Sequence, residues 1–140
     1  GRPDMSIWRF TEAMLRDREI VIYGDGTQSR GFTYVDDVVE ANQKLLASGE
    51  ADGEVLNVGS TDNIEIRELA EVIRDQLAPD LELVFEDARE ADAEHTHADV
   101  TKARELIGYE PTTDIREGVG QFVEWYRENR EWYEPLIRTS

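Results

Sequence analysis

The chain has 140 residues, enough for one modest domain with a core of its own. Its 32 acidic and 15 basic residues give a formal net charge of −17, which argues against a partner that is nucleic acid or an anionic membrane, since both need a basic face. It contains no cysteine, so disulfides and thiolate chemistry are excluded.

Hydrophobic residues make up only 39% of the chain and charged residues 34%, yet the three tryptophans fall inside periodic apolar patterns, the mark of a folded domain with a highly charged surface. The acidic residues are dispersed, and 13 of the 15 basic residues are arginine. A dispersed acidic surface poor in lysine is expected of a protein adapted to high salt, which screens the self-repulsion of the compact state. Thermal melts at low and at molar KCl should therefore differ widely; equal melting temperatures would remove the idea. No apolar run approaches the roughly 18 residues of a membrane span, and no signal peptide is evident. A cytoplasmic location is the expectation. Gly1 in place of methionine suits a processed chain or a fragment, and Met5 is an alternative start.

In chain order, Asp4 or Ser6 can cap a helix reaching about Asp17, with Ile7, Phe10, Met14 and Leu15 on one face. Ile20 to Tyr23 predicts a short apolar strand. Gly24-Asp25-Gly26 reads as a hairpin turn, and Phe32 to Val35 as a second strand. Asp36 or Asp37 then caps a helix to about Ala47, with Val38, Ala41, Leu45 and Leu46 inward. Val55 to Val58 predicts a buried strand, and Ile66 to Leu77 an amphipathic helix with Leu69, Val72, Ile73 and Leu77 as its stripe. Leu81 to Phe85 is a further strand, and Asp87 to Asp99 is polar and irregular. Asp99 or Thr101 caps a short helix stopped at Gly108. Pro111 forces Tyr109 and Glu110 to be extended, and Asp114 caps a last long helix presenting Ile115, Val119, Phe122, Val123 and Tyr126. The class is α/β, with short strands and several helices. The strands are too few for a complete doubly wound sheet, as in a piece of a larger α/β fold.

Five stretches carry a resemblance, and they cover nearly the whole chain. They are Gly1 to Met5; Ile20 to Asp37, reading IVIYGDGTQSRGFTYVDD; Leu56 to Ser60, reading LNVGS; Arg89 to Asp92 followed by Ala98 to Ala103, reading ADVTKA; and Leu106 to Pro111, reading LIGYEP, ahead of Glu117-Gly118. In this order they resemble the extended short-chain dehydrogenase/reductase family, the NAD-dependent nucleotide-sugar epimerases, dehydratases and decarboxylases. The resemblance implies that residues 1–140 are the C-terminal substrate-binding portion of such an enzyme, without its N-terminal NAD-binding Rossmann domain. The ADVTKA stretch looks most like UDP-glucose 4-epimerases. A dTDP-glucose 4,6-dehydratase or a UDP-glucuronate decarboxylase is the alternative.

The resemblance also assigns roles. Arg30 matches an arginine that holds the substrate diphosphate, a task for which a planar guanidinium suits paired charge-assisted hydrogen bonds. By composition alone, pairing with Asp36 or Asp37 is the competing role for Arg30. Arg89 matches a second diphosphate arginine and Asp92 an aspartate accepting from the ribose, although Glu90 and Ala91 replace the family's usual proline and glycine. Val21 and Tyr23 match positions bordering the nucleobase; plain strand core is the other reading of Tyr23. The expected partners are a UDP- or dTDP-sugar, the absent Rossmann domain, and a second copy in a homodimer.

Catalysis is not expected from these residues alone. The family's reaction needs bound NAD and a Tyr-x-x-x-Lys pair, and none of the five tyrosines has lysine four residues on. Gly24-x-Gly26 fails as a dinucleotide fingerprint, because Ser29 stands at the third position and a strand follows. No cofactor is thus expected on this chain. His95 and His97 lack a clear third ligand, so no metal is expected either. A free-standing nucleotide-sugar-binding module and a non-binding interaction remnant are the competing readings.

Overall fold

A computed structural model describes residues 5–88 and 95–137. In chain order the elements are α1 (Ser6–Met14), β1 (Ile20–Tyr23), β2 (Ser29–Gly31), α2 (Val35–Ala47), β3 (Asn63–Glu65), α3 (Ile66–Leu77), β4 (Leu83–Glu86), α4 (Thr101–Ile107) and α5 (Ile115–Ile137). They fall into two compact units. The first comprises residues 1–27, 66–92 and 116–140; the second comprises 28–65 and 93–115.

In the first unit β1 and β4 run parallel, with Ile20 opposite Leu83 and Tyr23 opposite Glu86. Ile20 and Ile22 are buried while Val21 and Tyr23 are half-buried, the alternation of a strand with one face on the core. Helix α3 buries Leu69, Ala70 and Ile73, with Val72 and Leu77 half-covered, much as its 3.6-residue period requires. Helix α1 buries Trp8, Phe10, Thr11 and Met14, so its inward stripe is rotated from the expected one and leaves Ile7 and Leu15 half-exposed. Its entry residue is Met5, with no side-chain cap, because Ser6 is already helical; Asp4 lies outside the described residues.

Helix α5 presents Ile115, Val119, Val123 and Tyr126 as a buried line at helical spacing. The Trp8 ring meets Tyr126 edge-on at 4.5 Å and Tyr133 at 4.9 Å. Beside them Glu134 accepts from the Tyr126 hydroxyl at 2.9 Å, Arg16 Nη2 at 2.8 Å and Arg130 Nε at 3.0 Å. Burial pushes the Glu134 carboxyl up, but these hydrogen bonds and the two guanidinium charges outweigh it and hold the group below its ordinary 4.5. Burial and the Glu134 contact push the Tyr126 hydroxyl well above the usual tyrosine value. A lowered carboxyl stabilises the fold fully above its unfolded value, and that contribution fades as pH falls below about 4.5 through the folded value. Glu134→Gln should lower the neutral-pH melting temperature and flatten the loss of stability as pH falls below the ordinary carboxyl value of 4.5. Parallel wild-type and variant melts with the same pH slope would refute this.

In the second unit β2 and β3 pair antiparallel, Ser29 with Glu65, Arg30 with Ile64 and Gly31 with Asn63. Its core gathers Ala41, Ala51, Val100, Ala103, Ile107 and Tyr109. Helix α4 ends at Gly108, whose φ of 64° is the left-handed stop expected of glycine. Buried Asp37 ties α2 to the approach of α5, accepting from the amides of Thr112 at 3.1 Å and Thr113 at 3.3 Å. The Tyr109 hydroxyl donates to the Gly59 carbonyl at 3.1 Å.

Several expectations are corrected. Gly24–Gly26 is a turn, but not a hairpin turn: β1 pairs with β4 and β2 with β3, so the chain leaves one sheet and enters another. The strand placed at Phe32–Val35 is β2, three residues earlier, because its ladder with β3 ends at Gly31 and Val35 already opens α2. Val55 to Val58 is not a strand. No described strand pairs with it; Leu56 and Val58 pack on the core while Val55 is 84% exposed. Of the four α2 residues expected inward, Ala41 is buried and Leu45 partly so, while Val38 is 37% and Leu46 90% exposed. Strand β3 was not expected.

Candidate functional site

In open α/β sheets, ligands gather where parallel strands end at their carboxyl termini. Strands β1 and β4 end together at Tyr23 and Glu86, and the Gly24 amide donates to the Glu86 carbonyl at 2.8 Å. An open depression of about 700 Å³ lies there, lined by Gly24, Asp25, Phe85, Glu86, Asp87 and Ala88. Val21 and Tyr23 lie on β1, both half-buried, on the strand face away from Ile20 and Ile22; neither lines the depression. The Asp25 carboxylate is engaged locally, accepting from the Thr27 hydroxyl at 2.6 Å and the Thr27 amide at 3.0 Å. Those two bonds, the hydroxyl's first, hold it below the usual carboxylate range.

Three carboxylates at this rim, Asp25, Glu86 and Asp87, would repel an anionic ligand unless cations answer them. Arg67 supplies one: its guanidinium carbon lies 6.0 Å from the Phe85 ring centroid, and its Nε donates to Glu71 at 3.2 Å. The sequence reading missed Arg67. Nothing in its local pattern marks it, since Phe85 is 18 residues away and the two meet through the pairing of β4 with β1 and the docking of the start of α3 on Gly26.

Arg30 is half-buried in the middle of β2, in the second unit. Its Nη1 donates to the Ser29 carbonyl at 2.8 Å. Around Ser29 the structure brings together His95, whose Nδ1 lies 2.9 Å from the serine Oγ, and Asn63, which donates to the Thr96 carbonyl at 2.7 Å. No group of three or more His, Asp or Glu residues fit for a metal ion occurs among the described residues. Arg89 and Asp92 lie outside the described residues.

The Gly24–Gly26 turn does not form a cradle for the pyrophosphate of NAD. A Cβ at Gly26 would fall 2.7 Å from the Arg67 Cβ and 3.1 Å from Ile22, so this glycine serves close packing of α3 rather than leaving room for a pyrophosphate. The strand before it leads into β2 and not into a helix.

Residues 3–122 match the family described as GDP-mannose 4,6 dehydratase. The chain belongs to that family, one of NAD-dependent nucleotide-sugar epimerases and dehydratases. Among its relatives, the UDP-glucuronate 4-epimerase of Thermodesulfobacterium geofontis is 38% identical over 133 residues, which make up 94% of this chain and 40% of that protein. The crystal structure of UDP-glucose 4-epimerase from Thermotoga maritima with UDP-glucose superposes with a TM-score of 0.80 at 36% identity, covering 89% of this chain and 40% of that one. The UDP-glucuronic acid 4-epimerase of Bacillus cereus, in complex with UDP-glucuronic acid and NAD, gives 0.81 at 30% identity, covering 91% and 41%. The chain thus spans about 40% of the length of the relatives it matches. The expected family is shown by these likenesses, as is the α/β class with short strands. No helix among the described residues is long and apolar enough to cross a membrane.

Proposed function

We propose that this chain is the C-terminal part of a UDP-sugar 4-epimerase of this family and binds the nucleotide diphosphate of the sugar substrate. The observation that carries the reading is the alignment of 94% of the chain with 40% of a UDP-glucuronate 4-epimerase. Arg30 and Arg89 grip the diphosphate, Asp92 accepts from the ribose, and Val21 and Tyr23 border the base through backbone groups and a ring face. At a net charge of −17 the long-range field repels the ligand, so the attraction comes from close-range arginines and strengthens relative to the repulsion as salt screens the latter.

Epimerisation of the sugar requires NAD as a transient hydride acceptor, which the rest of the family's length supplies. The residues of this chain bind and orient substrate, and exclude water from the diphosphate. A second reading has its own support: the matching family description names a 4,6 dehydratase, which would make the reaction an elimination on the same kind of substrate. Calorimetric titration of the chain with UDP-glucose, UDP-glucuronic acid and GDP-mannose in molar KCl separates the cases. Micromolar binding of the UDP-sugars is expected. Preference for GDP-mannose would favour the dehydratase, and flat heats for all three would overturn the binding role.

A further inference from the structure

Ser29 is the hub of a small hydrogen-bonded clip. Its Oγ lies 2.9 Å from His95 Nδ1 and receives a longer bond from Asn63 Nδ2 at 3.5 Å. The same amide group donates to the Thr96 carbonyl at 2.7 Å. Ser29 and His95 also form a parallel bridge, so residue 95 adds a short third lane beside β2, on the edge not occupied by β3. Finally, the Ser29 carbonyl accepts the Arg30 guanidinium at 2.8 Å.

The register explains how these contacts act together. Ser29 pairs with Glu65 and Gly31 with Asn63, so Ser29 and Asn63 share one face of the ladder while Arg30 and buried Ile64 share the other. The clip therefore sits on the face opposite the arginine and fixes the backbone from behind. With the imidazole neutral and its proton on Nε2, Nδ1 accepts the Ser29 hydroxyl proton, and Asn63 donates to the serine oxygen that remains.

We propose that Ser29, Asn63 and His95 form a positioning clip that sets the Arg30 guanidinium for an incoming diphosphate, with His95 acting through Ser29 and touching no ligand itself. This rests on the reading of Arg30 as a diphosphate-gripping residue. Two histidines spaced for a metal in the sequence thus divide: His95 serves the strand, and its Nδ1 is spent on Ser29.

The test uses the intact chain with UDP as the probe, and compares wild type with His95→Ala, His95→Asn, Arg30→Ala and the double variant. Asparagine places an oxygen where the imidazole places Nδ1, so it restores the acceptor. Loss of one hydrogen bond corresponds to roughly 3- to 10-fold. His95→Ala is expected to speed hydrogen exchange in residues 29–31 and to raise the UDP dissociation constant, each by about that factor, with His95→Asn restoring both. In the Arg30→Ala background His95→Ala should weaken UDP no further, because a positioning residue acts only through the group it positions. Unchanged exchange and unchanged affinity in His95→Ala, with its circular dichroism native, would overturn the clip and leave the diphosphate reading standing. An equal further loss in the double variant would also overturn it. If Arg30→Ala itself leaves UDP affinity unaltered, the diphosphate reading falls, and the exchange arm alone decides whether the clip holds Arg30.

Discussion

Replacing Arg30 by alanine is expected to weaken binding of a UDP-sugar by about ten- to a hundredfold. A charge-assisted hydrogen bond to a phosphate contributes roughly 1.5–3 kcal/mol, and each 1.4 kcal/mol is a tenfold change. The guanidinium donates to the Ser29 carbonyl 2.8 Å away, a neutral acceptor that holds it less strongly than a diphosphate oxygen would. Arg30→Lys should recover only part of the loss, since an ammonium keeps the charge but not the paired donors. The measurement is a calorimetric dissociation constant at fixed molar salt, with the fold of each variant checked by its far-ultraviolet spectrum. An affinity for Arg30→Ala within twofold of wild type would refute the role.

The largest effect on stability is expected from Trp8→Ala. Trp8 is 4% exposed and its ring stands edge-on to Tyr126 and Tyr133, with Phe122 at 6.4 Å. Emptying such a site costs roughly 3–5 kcal/mol, through lost burial and the cavity left behind, and the aromatic pairing adds about 0.5–1.5 kcal/mol for each well-oriented pair. Against a total stability of about 5–15 kcal/mol this is a large share, so the first unit should be partly unfolded in mild denaturant. Trp8→Phe keeps most of the volume and should lose much less. Urea unfolding followed by circular dichroism is the check, and a midpoint shift below that of an exposed control such as Trp132→Ala would contradict the packing described.

The two predictions draw on different parts of the chain, and they differ in how far the sequence reveals their basis. The length and placement of α3, the bounds of β1, the glycine stop after α4 and the apolar line of α5 all follow from local pattern. Each depends on contacts within one element: a 3.6-residue stripe, a run of β-branched residues, a left-handed glycine. Charge and the lack of cysteine likewise bound the class of partner without reference to the fold. The roles proposed for Arg30, Val21 and Tyr23 rest only on the ordered motifs of a family. Their spacing by itself left Arg30 open to pairing with Asp36 or Asp37 and Tyr23 open to the core.

Tertiary structure alone decided which strands pair. Gly24–Gly26 has the composition of a hairpin turn, but pairing of β1 with β4 buries Ile20 and Ile22 under α3, a gain that no two-residue turn can report. The docking of α3 beside that pair sets Arg67 over Phe85, and pairing of β2 with β3 sets Asn63 beside Ser29 and His95. Residues 18 to 66 apart in sequence become neighbours there, and local periodicity carries no information about such distances. Local pattern and motif order carry most of the elements and the family to which the chain belongs; the packing of the chain sets which of its charged and polar side chains stand together.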